Sequence, residues 1–171
     1  MKKIKLAHGK VALLDDEDYE KLNKYNWSLS RRHHMLYATS KMGTGKTSKM
    51  HRVILAVPLN IEIDHRDNNG LNNQKDNLRI CTRSQNQANR NSLIGTSVYK
   101  GVSRAPRSRL WRTDIQARGK HIYLGQFKSE KDAALVYNVA AIKYFGEFAR
   151  LNTINEVNRE DLLRKLGELG L

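Results

Sequence analysis

Short runs of apolar residues separated by polar turns organise the first half of the chain. Residues 4–15 alternate apolar and polar on either side of His8 and Gly9, which predicts a hairpin of two strands. An acidic segment follows, and acidic residues stabilise the first turn of a helix. The elements predicted after the hairpin are a short helix over 15–25, a basic strand pair over 27–41 and a short helix over 49–57 that ends before Pro58.

Two further short strands, 60–65 and 78–82, enclose a loop that is rich in asparagine. Asparagine is common in loops because its short amide bonds to the nearby backbone and tolerates left-handed dihedral angles. A helix is predicted over 82–90, where Thr82 takes the cap position and Gln85 stands three residues later, as in a capping box. The order predicted for this segment is therefore strand, loop, strand, helix.

The small polar segment 91–97 separates this half from a second set of elements, and we place a domain boundary there. Three strand-like runs follow, divided by turn residues at Ala105-Pro106 and at Gly119. The predicted fold class is α+β, with a strand–strand–helix core at about 60–90 in the first domain and a three-stranded antiparallel sheet packed on one helix in the second. We expect domains over 1–92 and 97–152 and a helical tail over 153–171.

The helix of the second domain is predicted to begin at Ser129, which has Asp132 three residues later, and to end at Gly146. Apolar residues recur on one of its faces at helical spacing: Ala133, Val136, Tyr137, Ala140, Ala141 and Tyr144. Its alanines would let the helix lie close on the sheet. The tail is predicted to form a short amphipathic helix that packs on one domain or on a partner.

The chain is strongly basic, with 31 Lys and Arg against 17 Asp and Glu and a formal net charge of +14. Such a charge predicts an anionic partner, of which nucleic acid is the commonest. A membrane surface is the competing partner, but no segment combines a basic face with the Trp and Leu face of an interfacial helix. We find no signal peptide and no membrane span in the sequence. We therefore expect a soluble intracellular protein.

Two features of the sequence argue against a cysteine-based zinc site and against a phosphate-binding loop. Cys81 is the single cysteine, so an internal disulfide and a zinc site built from cysteine pairs are excluded, and we expect a small core residue. The run GTGKT at 43–47 resembles the end of a phosphate-binding loop, but the full motif requires a glycine where Ser40 stands. It also requires a buried parallel strand before the loop and a long helix after it. We expect a flexible basic turn at this run.

Residues 63–89 carry side chains suited to the hydrolysis of a phosphodiester. This reaction needs a base with a pKa near neutrality and a divalent cation beside the leaving oxygen. His65 can be the base, while the carboxylate of Asp64 and the amide oxygen of Asn86 can ligate one Mg²⁺. Adjacent strand residues point to opposite sides, so a bend must bring Asp64 and His65 to one site. Asn77, just before the second strand, can close the loop and fix the orientation of His65.

For some of these residues a purely structural role stays open as the alternative to a role in catalysis or metal binding. Taken alone, Asp64 and His65 are an ordinary polar strand end. Asn89, one helical turn beyond Asn86, could support the metal ligands or face solvent or DNA. His51 either packs against the site or lies in the core. Four asparagines of the loop are expected to form turns: Asn68, Asn69, Asn72 and Asn73.

The stretch IDHRDNNGLNNQKDNLRICTRSQNQAN is similar to the HNH nuclease motif, a ββα-metal fold, in the variant of phage and intron homing endonucleases. Asn77 stands twelve residues after His65, and Asn86 nine further on, as in that variant. The resemblance implies that His65 is the general base and that Asn77 is the structural middle residue of the catalytic set. Asp64 and Asn86 are implied as ligands of one Mg²⁺ or Mn²⁺. The cysteine pairs of zinc-bound relatives are missing, so no zinc is expected.

The second domain is basic and rich in aromatic residues, with seven Lys or Arg against one acid, Asp114, over 100–120. Charge density alone leaves open whether this sheet reads DNA or is a solvated face with aromatic residues in the core. Residues 99–152, with YKGV, YLGQF and KDAALVYNVAAIKYFGEFARLN, look like the plant Apetala-two/ethylene-response-factor DNA-binding domain. That family implies a three-stranded sheet laid in the major groove, with the helix packed behind it.

The same resemblance implies DNA contacts by matching position, at Lys100, Ser103, Gln116, His121 and Tyr123. Ser103, Gln116 and His121 depart from the arginine or tryptophan of several plant contacts, and one extra residue over 107–110 shifts the first turn. The base preference of the plant domain is therefore not carried over. Four arginines are expected to contact phosphate: Arg104, Arg107, Arg109 and Arg112.

The sequence thus predicts a metal-dependent DNA endonuclease of the homing type, with double-stranded DNA as its partner. The alternative is a non-catalytic, sequence-specific DNA-binding regulator on a degenerate nuclease scaffold, and an RNA-binding accessory protein is a third interpretation. One such site cuts one strand per encounter, so nicking or cutting of both strands, and a monomer or a homodimer, stay open. The resemblance suggests a cytoplasmic location, in a bacterial host or a phage-infected cell.

Overall fold

The computed structural model describes residues 1–32, 35–43, 45–90 and 95–154. The chain forms two compact units, Met1–Asn86 and Gln87–Leu171, and both combine helices with strands, which confirms the α+β fold class. The predicted boundary at 91–97 and the tail helix fall partly or wholly outside the described residues, so the domain limits stay predictions. Within the described part of the chain, no helix is long and apolar enough to cross a lipid bilayer.

From the N-terminus to Asn89 the chain forms three antiparallel sheets and three α-helices, counted over the described residues. The elements are β1 (Lys2–Lys5), β2 (Val11–Leu14), α1 (Asp16–Asn23), β3 (Ser28–Arg32), β4 (Met35–Lys41), β5 (Thr47–Lys49), α2 (Met50–Leu55), β6 (Glu62–His65), β7 (Leu78–Cys81) and α3 (Arg83–Asn89). The strands β1 and β2 pair with each other, as do β6 and β7, while β4 lies between β3 and β5.

The predicted N-terminal hairpin is confirmed, since β1 and β2 pair antiparallel around a tight turn. His8 and Gly9 have positive φ angles of 57° and 66° in that turn, which interrupt the strand. The hairpin also anchors the asparagine-rich loop. The N–H of Leu13 donates to the carbonyl of Leu71 at 2.8 Å, and the carbonyl of Leu13 accepts from the N–H of Asn73 at 2.8 Å.

The GTGKT run lies between β4 and β5, and its residue 44 lies outside the described residues. The N–H of Gly45 donates to the carbonyl of Met42 at 2.7 Å, and the N–H of Met42 donates to the carbonyl of Lys46 at 3.1 Å. The strand β5 was not predicted. It forms because the β-branched Thr47 favours an extended backbone beside the open edge of β4. The helix α2 that follows has six residues, too few for a phosphate-loop fold.

The segment β6–β7–α3 has the predicted order strand, loop, strand, helix. Thr82 and Gln85 make the predicted capping box: the N–H of Gln85 donates to Oγ1 of Thr82 at 3.2 Å, and the N–H of Thr82 donates to Oε1 of Gln85 at 2.8 Å. Ile63 and Leu78, one from each strand, are buried in the core of this unit, which fixes the pair against the rest of the sheet structure.

The second unit contains β8 (Val102–Arg104), β9 (Trp111–Ala117), β10 (Lys120–Phe127) and α4 (Glu130–Phe145). The strands form one antiparallel sheet in the order β10–β9–β8, and α4 packs on one of its faces, as predicted. The hydroxyl of Ser129 accepts the N–H of Asp132 at 3.3 Å, which confirms the helix cap.

The helix α4 is buried on more of its circumference than its apolar spacing predicted. The predicted face is buried or half-buried: Ala133, Val136, Tyr137, Ala140, Ala141 and Tyr144. On the other side, Val139 and Ile142 are also buried, in contact with Leu151 of the segment that follows the helix. Asn138 fastens that segment: its Nδ2 donates to the carbonyl of Asn152 at 2.9 Å, and its Oδ1 accepts the N–H of Asn152 at 2.7 Å. Helical spacing shows where a helix meets a sheet, but not where later chain returns to cover it.

Candidate functional site

The alternation of β6 distributes the candidate residues over its two faces. Glu62 and Asp64 share one face, because residues two apart on a strand point the same way, and His65 points to the other. In the register of the antiparallel pair, Glu62 lies opposite Cys81 and Asp64 lies opposite Arg79. Asp64 and His65 therefore have different immediate neighbours, although the carboxylate still acts electrostatically on the imidazole.

Asp64 belongs to a buried ion pair. Its Oδ2 accepts hydrogen bonds from Nε and Nη2 of Arg79 at 2.8 Å and 2.7 Å, and the two side chains are 5% and 8% exposed. Two charge-assisted bonds to one oxygen offset part of the cost of removing both charges from water. Arg79 thereby holds the carboxylate of Asp64 in one orientation on this face of β6.

Asn86 contacts the same face of β6 from the first turns of α3. Its Nδ2 donates to Oε2 of Glu62 at 2.6 Å. Cys81 completes the face as a buried thiol, and burial, followed by the carboxylates of Asp64 and Glu62, raises its pKa to about 11. Cys81 is thus the core residue that the sequence predicted. Asn89, for which solvent or DNA was one alternative, is 3% exposed and does not face water.

His65 is 3% exposed, and its ring lies 4.8 Å from the ring of His51, edge to face at 83°. Burial lowers the pKa of His65, while a hydrogen bond with the side chain of Asn73 and the carboxylates of Asp67 and Asp64 act in the opposite direction. The balance is a lowered pKa, so the ring is uncharged at neutral pH. An uncharged imidazole is the form that accepts a proton.

His51 packs directly against His65, which is the first of its two predicted alternatives. It lies on α2 and is 4% exposed. Burial above all, then the positive charges of its neighbours, Lys49 and Arg52 among them, lowers the pKa of His51 to about 2. The ring of Tyr37 lies 5.7 Å from His51 and 6.0 Å from His65. The rings of Tyr37, His51 and His65 thus pack against one another on the side of β6 that faces away from Asp64.

Asn77 closes the loop between β6 and β7 with both ends of its amide. Its Nδ2 donates to Oδ1 of Asp67 at 2.9 Å and to the carbonyl of Asn72 at 2.8 Å. Its Oδ1 accepts the N–H of Asp67 at 3.1 Å, and its carbonyl accepts the N–H of Arg66 at 2.9 Å. The residue after His65 is therefore tied to the residue before β7, which limits how far the strand end can move.

Asn68 and Asn69 of the loop form turns, as predicted. Asn68 has a positive φ of 60°. Oδ1 of Asn69 accepts the N–H of Leu71 at 3.1 Å, a side-chain turn that replaces a backbone one. Asn73 is fully buried, and its Nδ2 donates to the carbonyl of Leu71 at 3.0 Å.

The donor atoms around α3 suit a hard divalent cation. The strand β6 presents the carboxylates of Glu62 and Asp64, and α3 presents the amide of Asn86, so these three side chains offer oxygen ligands. Within the described ranges, no group of three His, Cys, Asp or Glu is placed to hold a metal. A cation at this face would therefore depend on the amide oxygen of Asn86 in addition to the carboxylates.

The outward face of the C-terminal sheet carries most of the side chains that were predicted to contact DNA. Five of them alternate with the buried residues of their strands: Ser103, Arg112, Gln116, His121 and Tyr123. Asp114 lies among them, with one carboxylate oxygen 3.4 Å from Nε of Arg112 and the other 3.7 Å from Nδ1 of His121. The outward face is thus basic and aromatic, and its acid, Asp114, lies beside Arg112 and His121.

The other predicted arginines lie at the edge of this sheet and in the turn after β8. The guanidinium of Arg104 stacks on the ring of Trp111 at 4.0 Å and donates to the carbonyl of Arg109 at 2.8 Å. Arg107 is exposed in the turn, with a positive φ of 56°. Arg104 thus contacts the backbone of Arg109, whereas Arg107 lies exposed in the turn.

Lys100 differs from the other predicted DNA contacts because its ammonium group is already engaged. It donates to the carbonyls of Gln87, Ala88 and Arg90. Burial, with the charges of Arg150 and Arg90, lowers the pKa of Lys100 to about 8. A DNA contact by Lys100 would have to replace these three carbonyl acceptors.

Sequence reasoning missed Glu62 and Arg79, the partners of Asn86 and Asp64. The signal for Glu62 was available, because it precedes Asp64 by two positions and a strand must place both on one face. The signal for Arg79 was not, because the long loop leaves the register of β6 against β7 open until the structure is known.

Comparison with known proteins gives matches over both parts of the chain. A family model described as HNH endonuclease matches residues 49–88. An uncharacterized HNH endonuclease of Acanthamoeba polyphaga mimivirus is 30% identical over 154 residues, which cover 86% of this chain and 77% of the relative. No solved structure matches.

Plant proteins match the C-terminal part. An AP2-like ethylene-responsive transcription factor of Arabidopsis thaliana is 41% identical over 70 residues, which cover 40% of this chain but only 14% of the factor. A similar factor of Oryza sativa subsp. japonica is 36% identical over 72 residues, covering 41% of this chain and 10% of the factor. From the strand–strand–helix site and these matches, the chain belongs to the HNH endonuclease family and carries an AP2-like domain in its C-terminal part.

Proposed function

We propose that this chain is a metal-dependent DNA endonuclease in which His65 activates water, while Asp64 and Asn86 hold one Mg²⁺ or Mn²⁺ and no zinc takes part. HNH nucleases generally use divalent metals. The observation that carries the proposal is the arrangement β6–β7–α3, which bears all three side chains within the segment that resembles HNH endonucleases. A homing role, and a cytoplasmic location in a bacterial or phage-infected cell, belong to the same proposal.

The role of His65 follows from its uncharged ring. Burial lowers its pKa, so the imidazole can accept a proton from the attacking water at neutral pH. The rings of His51 and Tyr37 fix the plane of the imidazole. Because His65 is only 3% exposed, water and phosphate reach it only when this face of β6 opens. The proposal therefore requires that DNA binding expose the ring.

The roles of the other residues follow from their contacts. When bound, the cation would stabilise the negative charge that develops on the leaving oxygen. Arg79 keeps the carboxylate of Asp64 on the α3 side of β6. Asn77 ties the loop that follows His65, so we assign it a structural part in the catalytic set.

The C-terminal sheet is proposed to hold double-stranded DNA on its outward face. Tyr123 and the guanidinium of Arg112, 5.5 Å from that ring, offer an aromatic and cationic surface there. Arg104 and Arg109 extend the positive charge to the sheet edge. Affinity supplied by such contacts falls steeply with salt, because bound cations of the phosphate backbone are released.

A non-catalytic, sequence-specific DNA-binding regulator is the second candidate. The observation that favours it is the closed state of the site, with His65 enclosed by rings and Asp64 paired with Arg79. Under this alternative the chain binds DNA through the C-terminal sheet and leaves every phosphodiester intact.

Supercoiled plasmid separates the two candidates. We expect the full chain to relax or linearise the plasmid with Mg²⁺ or Mn²⁺ and to leave it supercoiled with a chelator. His65→Ala should abolish cleavage while keeping DNA affinity, and His8→Ala, at an exposed turn, serves as the matched control. Cleavage that His65→Ala leaves unchanged would remove this residue from the mechanism. A chain that binds but never cleaves would support the regulator.

The same assay addresses strand number and assembly. A nicked circle that accumulates before linear plasmid indicates one strand cut per encounter, as expected for one site with one metal. Linear product that appears directly, with a rate that rises as the square of protein concentration, indicates a homodimer.

A further inference from the structure

Glu62 is half-buried on β6, and the proposed function above leaves it without a role. Its carboxylate accepts the Nδ2–H of Asn86 at 2.6 Å, across 24 residues of sequence. We propose that Glu62 is a positioning residue of the metal site, which holds the amide of Asn86 so that its oxygen, and not its nitrogen, faces the cation. This inference rests on the proposed function, since it concerns the same metal site.

An amide ligand has an orientation problem that a carboxylate does not have. The two ends of the Asn side chain are nearly equal in shape, but only the oxygen can ligate Mg²⁺, whereas the NH₂ group presents two donors. A half-turn of the side chain exchanges the two ends. A carboxylate that accepts from the NH₂ group opposes this half-turn, because the turned amide would place its oxygen against the carboxylate oxygen.

The register of β6 and β7 supports this role. Glu62 shares the face of Asp64, and Cys81 lies opposite Glu62 on the neighbouring strand. Glu62 is thus beside the first proposed ligand and hydrogen-bonded to the second.

The competing roles for Glu62 are a role through its charge alone, which substitution with glutamine tests, and that of a direct ligand, which the same substitutions in an Asn86→Asp background test. Glu62→Gln and Glu62→Ala both remove the negative charge, but only the glutamine keeps an oxygen that can accept from Asn86. A positioning role therefore predicts a difference between the two variants, whereas a role through charge alone predicts none.

The test measures Mn²⁺ affinity of the full chain without DNA, from the electron paramagnetic resonance of free Mn²⁺. We expect Glu62→Ala to bind Mn²⁺ about tenfold more weakly than Glu62→Gln, in the range found for residues that orient metal ligands. Thermal unfolding without metal checks that both variants fold. Equal affinity of the two variants overturns the inference, whether both equal the parent or both are weaker.

Repeating the test in a chain that carries Asn86→Asp makes it independent of small effects of the substitutions on folding. Asn86→Asp supplies two oxygens, so its orientation needs no partner, and Glu62→Ala and Glu62→Gln should then bind Mn²⁺ equally. A tenfold gap that persists in this background overturns the inference. A parent chain that binds Mn²⁺ and cleaves plasmid while its Ala and Gln variants bind alike refutes the role of Glu62 alone. A parent that neither binds nor cleaves refutes the proposed function itself.

Discussion

Arg79 holds the carboxylate of Asp64 through two hydrogen bonds across the β6–β7 pair, at 2.8 Å from Nε and 2.7 Å from Nη2. Both side chains are nearly excluded from solvent. A proposed metal ligand is therefore already balanced by a buried cation, and the charge at this face depends on both partners.

Replacing Arg79 by methionine should strongly destabilise the first unit. The substitution leaves the Asp64 carboxylate buried without its guanidinium, and breaking a buried pair in this way costs about 3–5 kcal/mol. We expect this loss in the free energy of unfolding measured with urea. Mn²⁺ should restore part of it, because a bound cation supplies the missing positive charge and stabilises the folded state.

Arg83→Met is the matched control, since Arg83 is exposed at the start of α3. Exposed substitutions of this kind usually change stability by less than about 0.5 kcal/mol. Equal losses in the two variants, or an Arg79→Met loss that Mn²⁺ leaves untouched, would contradict the charge argument.

Acid should destabilise the first unit through His51. Its pKa is about 2 in the folded chain, whereas an unfolded histidine has a pKa near ~6.5. Above pH ~6.5 neither state is protonated, so His51 has no effect there. Below that pH the unfolded state binds a proton that the folded state does not, so stability falls by about 1.4 kcal/mol per pH unit. From pH ~6.5 to ~5 the loss is about 2 kcal/mol.

Substitution can show whether His51 causes this dependence of the unfolding free energy on pH. His51→Gln removes the buried imidazole and should reduce the dependence of the unfolding free energy on pH, even if it lowers stability at pH ~7. The pKa of His65 is also lowered by burial, so part of the slope remains. His8→Gln, which changes an exposed histidine of the same unit, is the matched control. A slope that is unchanged in His51→Gln would show that other groups govern acid unfolding.

Gly101 should tolerate no side chain. Its φ is +74°, and a Cβ there would stand 2.0 Å from the ring of Tyr137. Gly101→Ala therefore combines left-handed strain with overpacking, for which about 3 kcal/mol is expected in the second unit. Gly119→Ala is the control, because Gly119 has φ +73° with no atom near its Cβ position. Gly119→Ala should lower the free energy of unfolding by about 1 kcal/mol. Similar midpoints of unfolding for the two variants would contradict the clash with Tyr137.

Local sequence signals predicted the elements that depend on neighbouring residues. The N-terminal hairpin, the capping box of Thr82 and Gln85 and the helix cap at Ser129 all follow from residues a few positions apart. The candidate site was predicted in the same way, since His65 and Asn77 belong to one short stretch, but the catalytic and metal-ligand roles stay predictions.

Features that depend on register or on distant chain were not predicted. The pairing of Asp64 with Arg79 requires the register of β6 against β7, which a long loop does not determine. The sequence left open whether His51 packs against the site or lies in the core, because its contact with His65 joins two distant elements. The burial of Ile142 requires the chain after α4 to return over the helix. In each case the contact is set by tertiary packing, which periodicity along the sequence does not contain.

Removing the acid from the outward sheet face should strengthen DNA binding. Asp114 lies 3.4 Å from Arg112 and 3.7 Å from His121, so its carboxylate both competes for these groups and repels phosphate. A repulsion between unit charges ~6 Å apart in water is about 0.7 kcal/mol, which corresponds to a gain of about threefold in affinity. We expect this gain for Asp114→Asn in fluorescence anisotropy on duplex DNA at low salt, and it should shrink as salt is raised.

Asp132→Asn provides the control of equal charge. Asp132 lies in the first turn of α4, and the helix packs on the sheet face opposite to Asp114. The two variants gain the same formal charge, so a general electrostatic effect would raise affinity in both. Binding through the outward face predicts that only Asp114→Asn gains. If Asp132→Asn gains as much, DNA does not lie on the face that carries Arg112, Gln116 and Tyr123, and the sheet contacts its ligand elsewhere.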